Sequence, residues 1–304
     1  MKFYKNILKV VALLLFGTIY AQQEPNYALY RYTMNAINPA YAAADGETSL
    51  TSSFRSQWVN VQDAPETQTF FFATPLTEKF GIGLSIINDK VFVENRTSFN
   101  VDFSYKLKFS ETTDLFLGLK AGASTYNIDE DGFGRFGFNN GDSAIQNIDE
   151  GFRPNLGVGA HLFNEKYFVS FSINGLLQGE RVNVDDGRVT TSNNNSHWYL
   201  SGGYNFDLSD KFEFRPSTMI RYVNGSPLSA DFTAAFRYNK RFELAGVYTT
   251  DGAWAGTLMF NLADWMDFGY AYGGSSRSDL NDINDGTHEI LVRFNFPKKN
   301  NSDE

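Results

Sequence analysis

The sequence predicts an all-β fold: a transmembrane antiparallel β-barrel of about 14 strands, with a short N-terminal arm that is periplasmic or lumenal. Three observations lead there. Phe, Tyr and Trp make up 16% of the 304 residues, although charged residues make up 20% and the mean hydropathy is negative. That combination arises when each strand shows one face to lipid and the other to water. The segment "SFNVDFSYKLKF", residues 98–109, sets Phe99, Val101, Phe103, Tyr105, Leu107 and Phe109 against Ser98, Asn100, Asp102, Ser104, Lys106 and Lys108. A period of two over twelve residues belongs to a strand, not a helix. Finally, the connections between such segments alternate between short and mostly longer, the pattern of periplasmic turns and external loops.

Taken from the start, residues 1–21 read as a signal peptide. Lys2, Lys5 and Lys9 precede the apolar run "VVALLLFGTIYA", and Ala21 ends a cleavage site before Gln22. The run is shorter than the roughly 20 apolar residues a transmembrane helix needs. Removing it takes away three lysines and no acid, so 26 Lys+Arg against 35 Asp+Glu becomes 23 against 35. An exported chain this acidic is a poor ligand for nucleic acid. It contains no cysteine, which excludes disulfides, thiolate metal sites, cysteine nucleophiles and lipoprotein anchoring.

An N-terminal arm spans 22–45. Tyr27, Tyr30, Met34 and Ile37 recur at helical spacing, so a short helix-like element is expected. In "NAINPAYAA", Asn38 before Pro39 turns the chain, and Ala40, Ala42 and Ala43 permit close approach to a wall, with Tyr41 as the anchor. The arm is then a plug or a rim seal; the plainer alternative is a linker.

The barrel is expected over 46–296, with strands near 47–58, 67–76, 79–88, 95–108, 114–126, 152–163, 166–174, 196–206, 211–223, 228–239, 241–250, 253–262, 265–273 and 286–296, and a polar tail over 297–304. A soluble β-sandwich is disfavoured. The aromatic faces would form large exposed patches, and the charges on the opposite faces would be stranded in a dry core. Those charges, Asp102, Arg215, Arg221, Asp231, Arg237, Glu289 and Arg293 among them, mix both signs. An ion-selective pore favours one sign, so the mixture points to an ion-pair network that fills and stiffens the lumen.

Nothing points to catalysis or to a cofactor. The three histidines, His161, His197 and His288, sit in no HExxH, HxH or GxSxG context. Loop 127–151 is acidic and glycine-rich. Asp129, Glu130, Asp131, Asn139, Asn140 and Asp142 offer oxygen ligands without the spacing of an EF-hand. Phe133, Phe136 and Phe138 in the same loop are candidate contacts for a partner.

An ordered series of motifs runs the length of the chain: "NAINPAYAA", "FRSQWVNVQDAPETQTFFFATPL", "GIGLSIINDK", "FSYKLKFSETTDLFLGLKAG", "RPNLGVGAHLFNEKYFVSFSINGLL" and "GTHEILVRFNF". In this the chain resembles the PorP/SprF family of outer-membrane proteins, associated with type IX secretion and gliding motility in Bacteroidota. It departs at Ala43, where glycine is common, and in "AYGGSSRS", where an aspartate often follows the tyrosine. The resemblance implies a non-enzymatic barrel among outer-membrane lipids, partnered by type IX machinery. It implies either a core subunit linking the machine to the membrane or an accessory barrel. The accessory barrel would help export or retain a secreted adhesin through that protein's C-terminal domain. The alternative reading is a passive porin or small-solute transporter.

Overall fold

A computed structural model describes residues 27–129, 152–177, 181–185, 188–192, 195–276 and 284–296, the two short segments within 181–192 by their backbone alone. The signal peptide and the C-terminal tail lie outside the described residues.

The strands are β1 (Thr48–Ser56), β2 (Glu66–Pro75), β3 (Phe80–Val91), β4 (Glu94–Lys108), β5 (Thr113–Ile128), β6 (Phe152–Asn164), β7 (Tyr167–Asn174), β8 (Arg181–Asp185), β9 (Arg188–Ser192), β10 (His197–Tyr204), β11 (Phe206–Asp207), β12 (Phe212–Val223), β13 (Ser229–Tyr238), β14 (Phe242–Thr249), β15 (Ala253–Ala263), β16 (Met266–Ser275) and β17 (Thr287–Phe296). All the strands except β8 and β9, which pair only with each other, form one antiparallel meander, closed where β1 pairs with β17. Past Asn205, β11 continues β10 in the same register on β12, from Gly203 opposite Ser217 to Phe206 opposite Phe214. The barrel therefore has 14 strands. Closure leaves no sheet edge, so every backbone amide and carbonyl at membrane depth has a partner where lipid offers none.

Side-chain alternation follows the pleat. In β14 the outward Leu244 and Tyr248 are exposed, while the inward Glu243, Ala245, Val247 and Thr249 are buried. Around the ring Phe70, Leu84, Phe103, Leu119, Phe171, Phe232 and Phe236 project outward. Serine, threonine, asparagine, alanine and charged residues face in. Aromatic pairs border the outer band at the end carrying the short turns, with Phe80 and Tyr105 4.8 Å apart and Phe212 and Tyr238 4.7 Å apart. Trp198, Tyr222, Tyr248, Trp254 and Tyr272 stand outward toward the other end, giving the two girdles of an outer-membrane barrel.

Three of the short turns share one design. In "LTEKF", "FSETT" and "LSDKF" the first two amides both donate to the carbonyl of the fifth residue, respectively Phe80, Thr113 and Phe212. In each, the second residue's hydroxyl (Thr77, Ser110 or Ser209) accepts from an amide two residues on. Such side-chain-to-backbone bonds are why Ser and Thr favour turns. The leading Leu76, Phe109 and Leu208 continue the outward stripe of the strand before them and are more than half exposed. The apolar band thus reaches the turns themselves.

One expected boundary fails. The sequence suggests a loop over 89–94, but β3 and β4 run on to a two-residue turn in which Phe92 has a φ of +58°. The turn lacks Gly, Asn or Asp, so nothing local marks it. It is held from outside, by the Phe92 amide bonding the Asp63 carbonyl at 3.2 Å.

Leu119 faces outward on β5 and is 62% exposed. Leu119→Arg is expected to destabilise the barrel by roughly 2–4 kcal/mol, the cost of a charge near the bilayer midplane. Denaturant unfolding in lipid vesicles measures it; a loss below about 0.5 kcal/mol would place Leu119 away from the lipid core.

Candidate functional site in the barrel lumen

Residues 27–44 lie inside the barrel and cross it in three passes. The Ala28 amide donates to Glu289 Oε2 (2.9 Å) near the loop end. The chain then descends. Tyr30 Oη meets Ser217 Oγ at 2.8 Å, and Tyr32 Oη donates to Glu243 Oε1 at 2.9 Å, close to the turn end of β14. It climbs again past Asn35, whose carbonyl accepts from Lys120 Nζ. At the top, the Ile37 carbonyl accepts from Ser172 Oγ and Asn174 Nδ2, both at 2.8 Å, toward the loop end of β7. It finally descends through residues 38–44 into β1.

The expected helix-like element is three separate 3₁₀ turns, Tyr30–Tyr32, Met34–Ala36 and Pro39–Tyr41. Tyr27, Tyr30, Met34 and Ile37 nevertheless meet in one apolar cluster, with Phe71, Tyr199 and Met219 from the wall.

The third pass fits sockets in the wall. Asn38 is fully buried. Its Oδ1 accepts from the Ala40 amide (2.9 Å), and its Nδ2 donates to Ser170 Oγ (2.6 Å) and to the carbonyls of Ala160 and Phe171. This cap starts the Pro39–Tyr41 turn, with proline at its first position as helix starts prefer. A Cβ on Gly159 would lie 1.9 Å from Asn38 Oδ1, and one on Gly118 2.2 Å from the Ala40 amide. Only glycine at those two wall positions admits the arm. Tyr41 stacks on the buried His161, ring centroids 4.0 Å apart, and the Ala42 carbonyl accepts from Ser104 Oγ. Ala43 adopts a φ of +58°, a left-handed conformation that glycine takes without penalty.

Several lumenal charges of opposite sign meet on the inner face of the wall. Lys120 Nζ lies 2.8 Å from Asp102 Oδ1, both side chains 2% exposed. Arg221 grips Asp231 with two bonds of 2.6 and 2.7 Å. Arg215 meets Glu243 at 2.5 Å, and Arg237 Nε meets Glu213 at 2.8 Å. Arg293 bonds Thr51 Oγ1 and the Tyr32 carbonyl. Glu289 lies beside Arg55 in the β1–β17 register. The partners Lys120, Glu213 and Glu243, and the socket glycines, are reachable from sequence only through the face they share; nothing in spacing matches them to their partners.

Phe133, Phe136 and Phe138 lie outside the described residues, as do residues 130–151 generally. Among the described residues no group of three His, Cys, Asp or Glu side chains could hold a metal. His197 and His288 have ring neighbours in Tyr199 and Tyr270.

A family model described as type IX secretion system membrane protein PorP/SprF matches residues 19–294. The chain belongs to the PorP/SprF family. This PorP/SprF protein is thus an outer-membrane barrel with a transport- or secretion-associated role. No curated protein matches it. Among solved structures it is similar to the CymD monoaromatic hydrocarbon channel, with 12% identity over 86% of this chain and 92% of that one and a TM-score of 0.48. It is also similar to Acinetobacter baumannii Omp33, with 9% identity over 83% and 99% and a TM-score of 0.45. The KdgM porin gives 11% identity over 82% and 99% and a TM-score of 0.41.

Two predictions test this interior. Asp102→Ala strands the Lys120 ammonium and should cost about 3–5 kcal/mol, whereas replacing both residues, Asp102→Leu with Lys120→Met, should cost far less. Equal losses in denaturant unfolding would mean the pair is solvated. Ala43→Gly relieves a left-handed alanine and should stabilise by on the order of 1 kcal/mol. Gly159→Ala should instead expose residues 38–44 to protease in the folded barrel.

Proposed function

We propose that this PorP/SprF barrel serves type IX secretion by protein contact and not by conducting solutes. It would assist export or surface retention of a secreted adhesin-type protein, or link the machine to the outer membrane. One observation carries this reading: the barrel's own chain occupies its lumen. Residues 27–44 bond to β4–β7 on one side and to β12, β14 and β17 on the other. Cavities beside the arm measure about 80 and 30 Å³ at the loop end and about 80 Å³ at the turn end, room for single waters or small water clusters. A diffusion porin requires a continuous aqueous path, and a stoppered barrel is better suited to presenting surfaces. The long external loops, Phe133, Phe136 and Phe138 included, are the proposed contact for the secreted partner, and the short-turn rim for the machine.

Deleting the gene tests the proposal. One or a few secreted proteins should disappear from the cell surface, as read by surface-protein mass spectrometry. An unchanged surface proteome would sink it. Large, steady single-channel currents from the purified protein at rest in a planar bilayer would favour the porin instead.

A further inference from the structure

We propose that the loop end of the lumen holds a binding site for the headgroup of a small α-amino acid, with its carboxylate received by Arg55 and the neighbouring N–H group by Glu289. This goes beyond the secretion reading and does not depend on it, since it concerns a ligand of the lumen and not the partner of the external loops.

Glu289 is unlike the other inward carboxylates. Asp231 gives both oxygens to Arg221, Glu243 takes Arg215 and the Tyr32 phenol, and Glu213 takes Arg237. Glu289 is 1% exposed, and its Oε2 accepts from the Ala28 amide. Its Oε1 is buried with no hydrogen-bond partner among the described residues. Arg55 stands opposite it on β1, and Arg55 Nη1 is likewise buried without a partner among them. The two residues share a register position, yet no bond joins these atoms. Buried polar atoms are nearly always bonded, and buried charges left unpaired are costly. Two such atoms of opposite sign at one place point to a group that completes them.

Both residues line the same cavity, about 80 Å³ in volume, beside Tyr27 and Ala28. It lies toward the loop ends of β14, β15 and β17, where Thr249, Ala253 and Thr287 also line it. With roughly 15 Å³ of such volume needed per water, the space suits a solute of about five non-hydrogen atoms in place of a small water cluster. Glycine is a molecule of that size. Val247, Ala255 and Ala271 supply a small apolar wall, which suits a side chain no larger than a methyl.

The charges select the ligand. Asp231, the third charged residue on the cavity, is already bonded at both oxygens. A simple anion would satisfy Arg55 but lie against the Glu289 carboxylate, and a simple cation would satisfy Glu289 but lie against the Arg55 guanidinium. A group carrying a carboxylate and an N–H on adjacent carbons meets each with its complement and, as a zwitterion, adds no net charge to a buried site. Such charge-assisted bonds are roughly twice as strong as neutral ones. The Ala28 amide holds the Glu289 carboxylate through its other oxygen, so Oε1 is positioned before anything binds, which lowers the cost of ordering it.

Calorimetric titration of the unaltered, full-length mature protein in detergent tests this, with glycine, acetate and methylammonium as probes. Glycine should bind saturably, and at least about tenfold more tightly than either single-charge probe. Acetate binding as tightly as glycine would reduce the site to an anion at Arg55, and methylammonium doing so would reduce it to a cation at Glu289. Either result, or no saturable glycine binding, would overturn the proposal. N-acetylglycine separates the two sources of the headgroup. Binding equal to that of glycine means that the nitrogen is an amide and the site takes the last residue of a peptide. Binding at least about tenfold weaker means that it takes a free amino acid. Two substitutions then locate the site. Glu289→Gln should weaken glycine by at least about tenfold and leave acetate little changed; an unchanged glycine affinity would remove Glu289 from the site. Ala255→Leu, which fills the cavity and leaves both charges in place, should abolish binding of every probe. Glycine binding that survives Ala255→Leu, in a barrel whose circular dichroism is unchanged, would lie outside this cavity and sink the assignment.

Discussion

The structure depends on satisfying a polar interior inside a ring that is wide enough to be hollow. Fourteen strands closed on themselves solve the lipid problem at the backbone, since no hydrogen-bonding edge remains. The same closure creates the next problem. Small eight-stranded barrels fill their interiors with side chains alone, but diameter grows with strand number. Here the inward positions are mostly short, with Ser85, Ser170, Ser172, Thr233, Ala235, Ala245 and Ala271 among them, and they cannot meet across the axis. Residues 27–44 supply the missing volume. The wall's short side chains and the arm's folded path are two sides of one packing solution.

The electrostatics follow from that solution. Isolated buried charges are costly, and pairing them offsets the cost only when geometry is good. Asp102 with Lys120 and Asp231 with Arg221 lie on paired strands, while Arg215 on β12 reaches past β13 to Glu243 on β14, so rigid strands set their distances. Because the wall neutralises itself, the arm need bring little charge, and it contributes mainly backbone groups, tyrosines and small apolar residues. Arg31 is the exception: its Nη1 donates to the carbonyl of Arg215, whose partner Glu243 also takes the Tyr32 phenol.

Period-two patterning made the outer half of this architecture readable. Each expected strand has its counterpart in the ring, because lipid and water impose opposite demands on successive residues and leave them in the sequence. The β3–β4 turn escaped notice because Phe92 bends under a contact from Asp63, far away in sequence, and not under a turn residue. The interior was readable only as a set of faces. Asp102, Arg215, Arg221, Asp231, Arg237, Glu289 and Arg293 could be placed inward, but their partners could not be named, since register is a property of pairing and not of spacing. Gly118 and Gly159 look like ordinary strand glycines until Asn38 and Ala40 are set against them. The arm's four apolar residues converge as helical spacing suggests, yet through three 3₁₀ turns, because the wall and not a helix axis brings them together.

The glycine sockets set the path of the arm. Asn38 caps the turn that enters them, while the carbonyl of the residue before it, Ile37, accepts from Ser172 and Asn174. Ala43 sharpens the point. Its left-handed backbone is tolerable because the socketed residues around it over-determine it, as strained residues persist only where their surroundings leave no alternative.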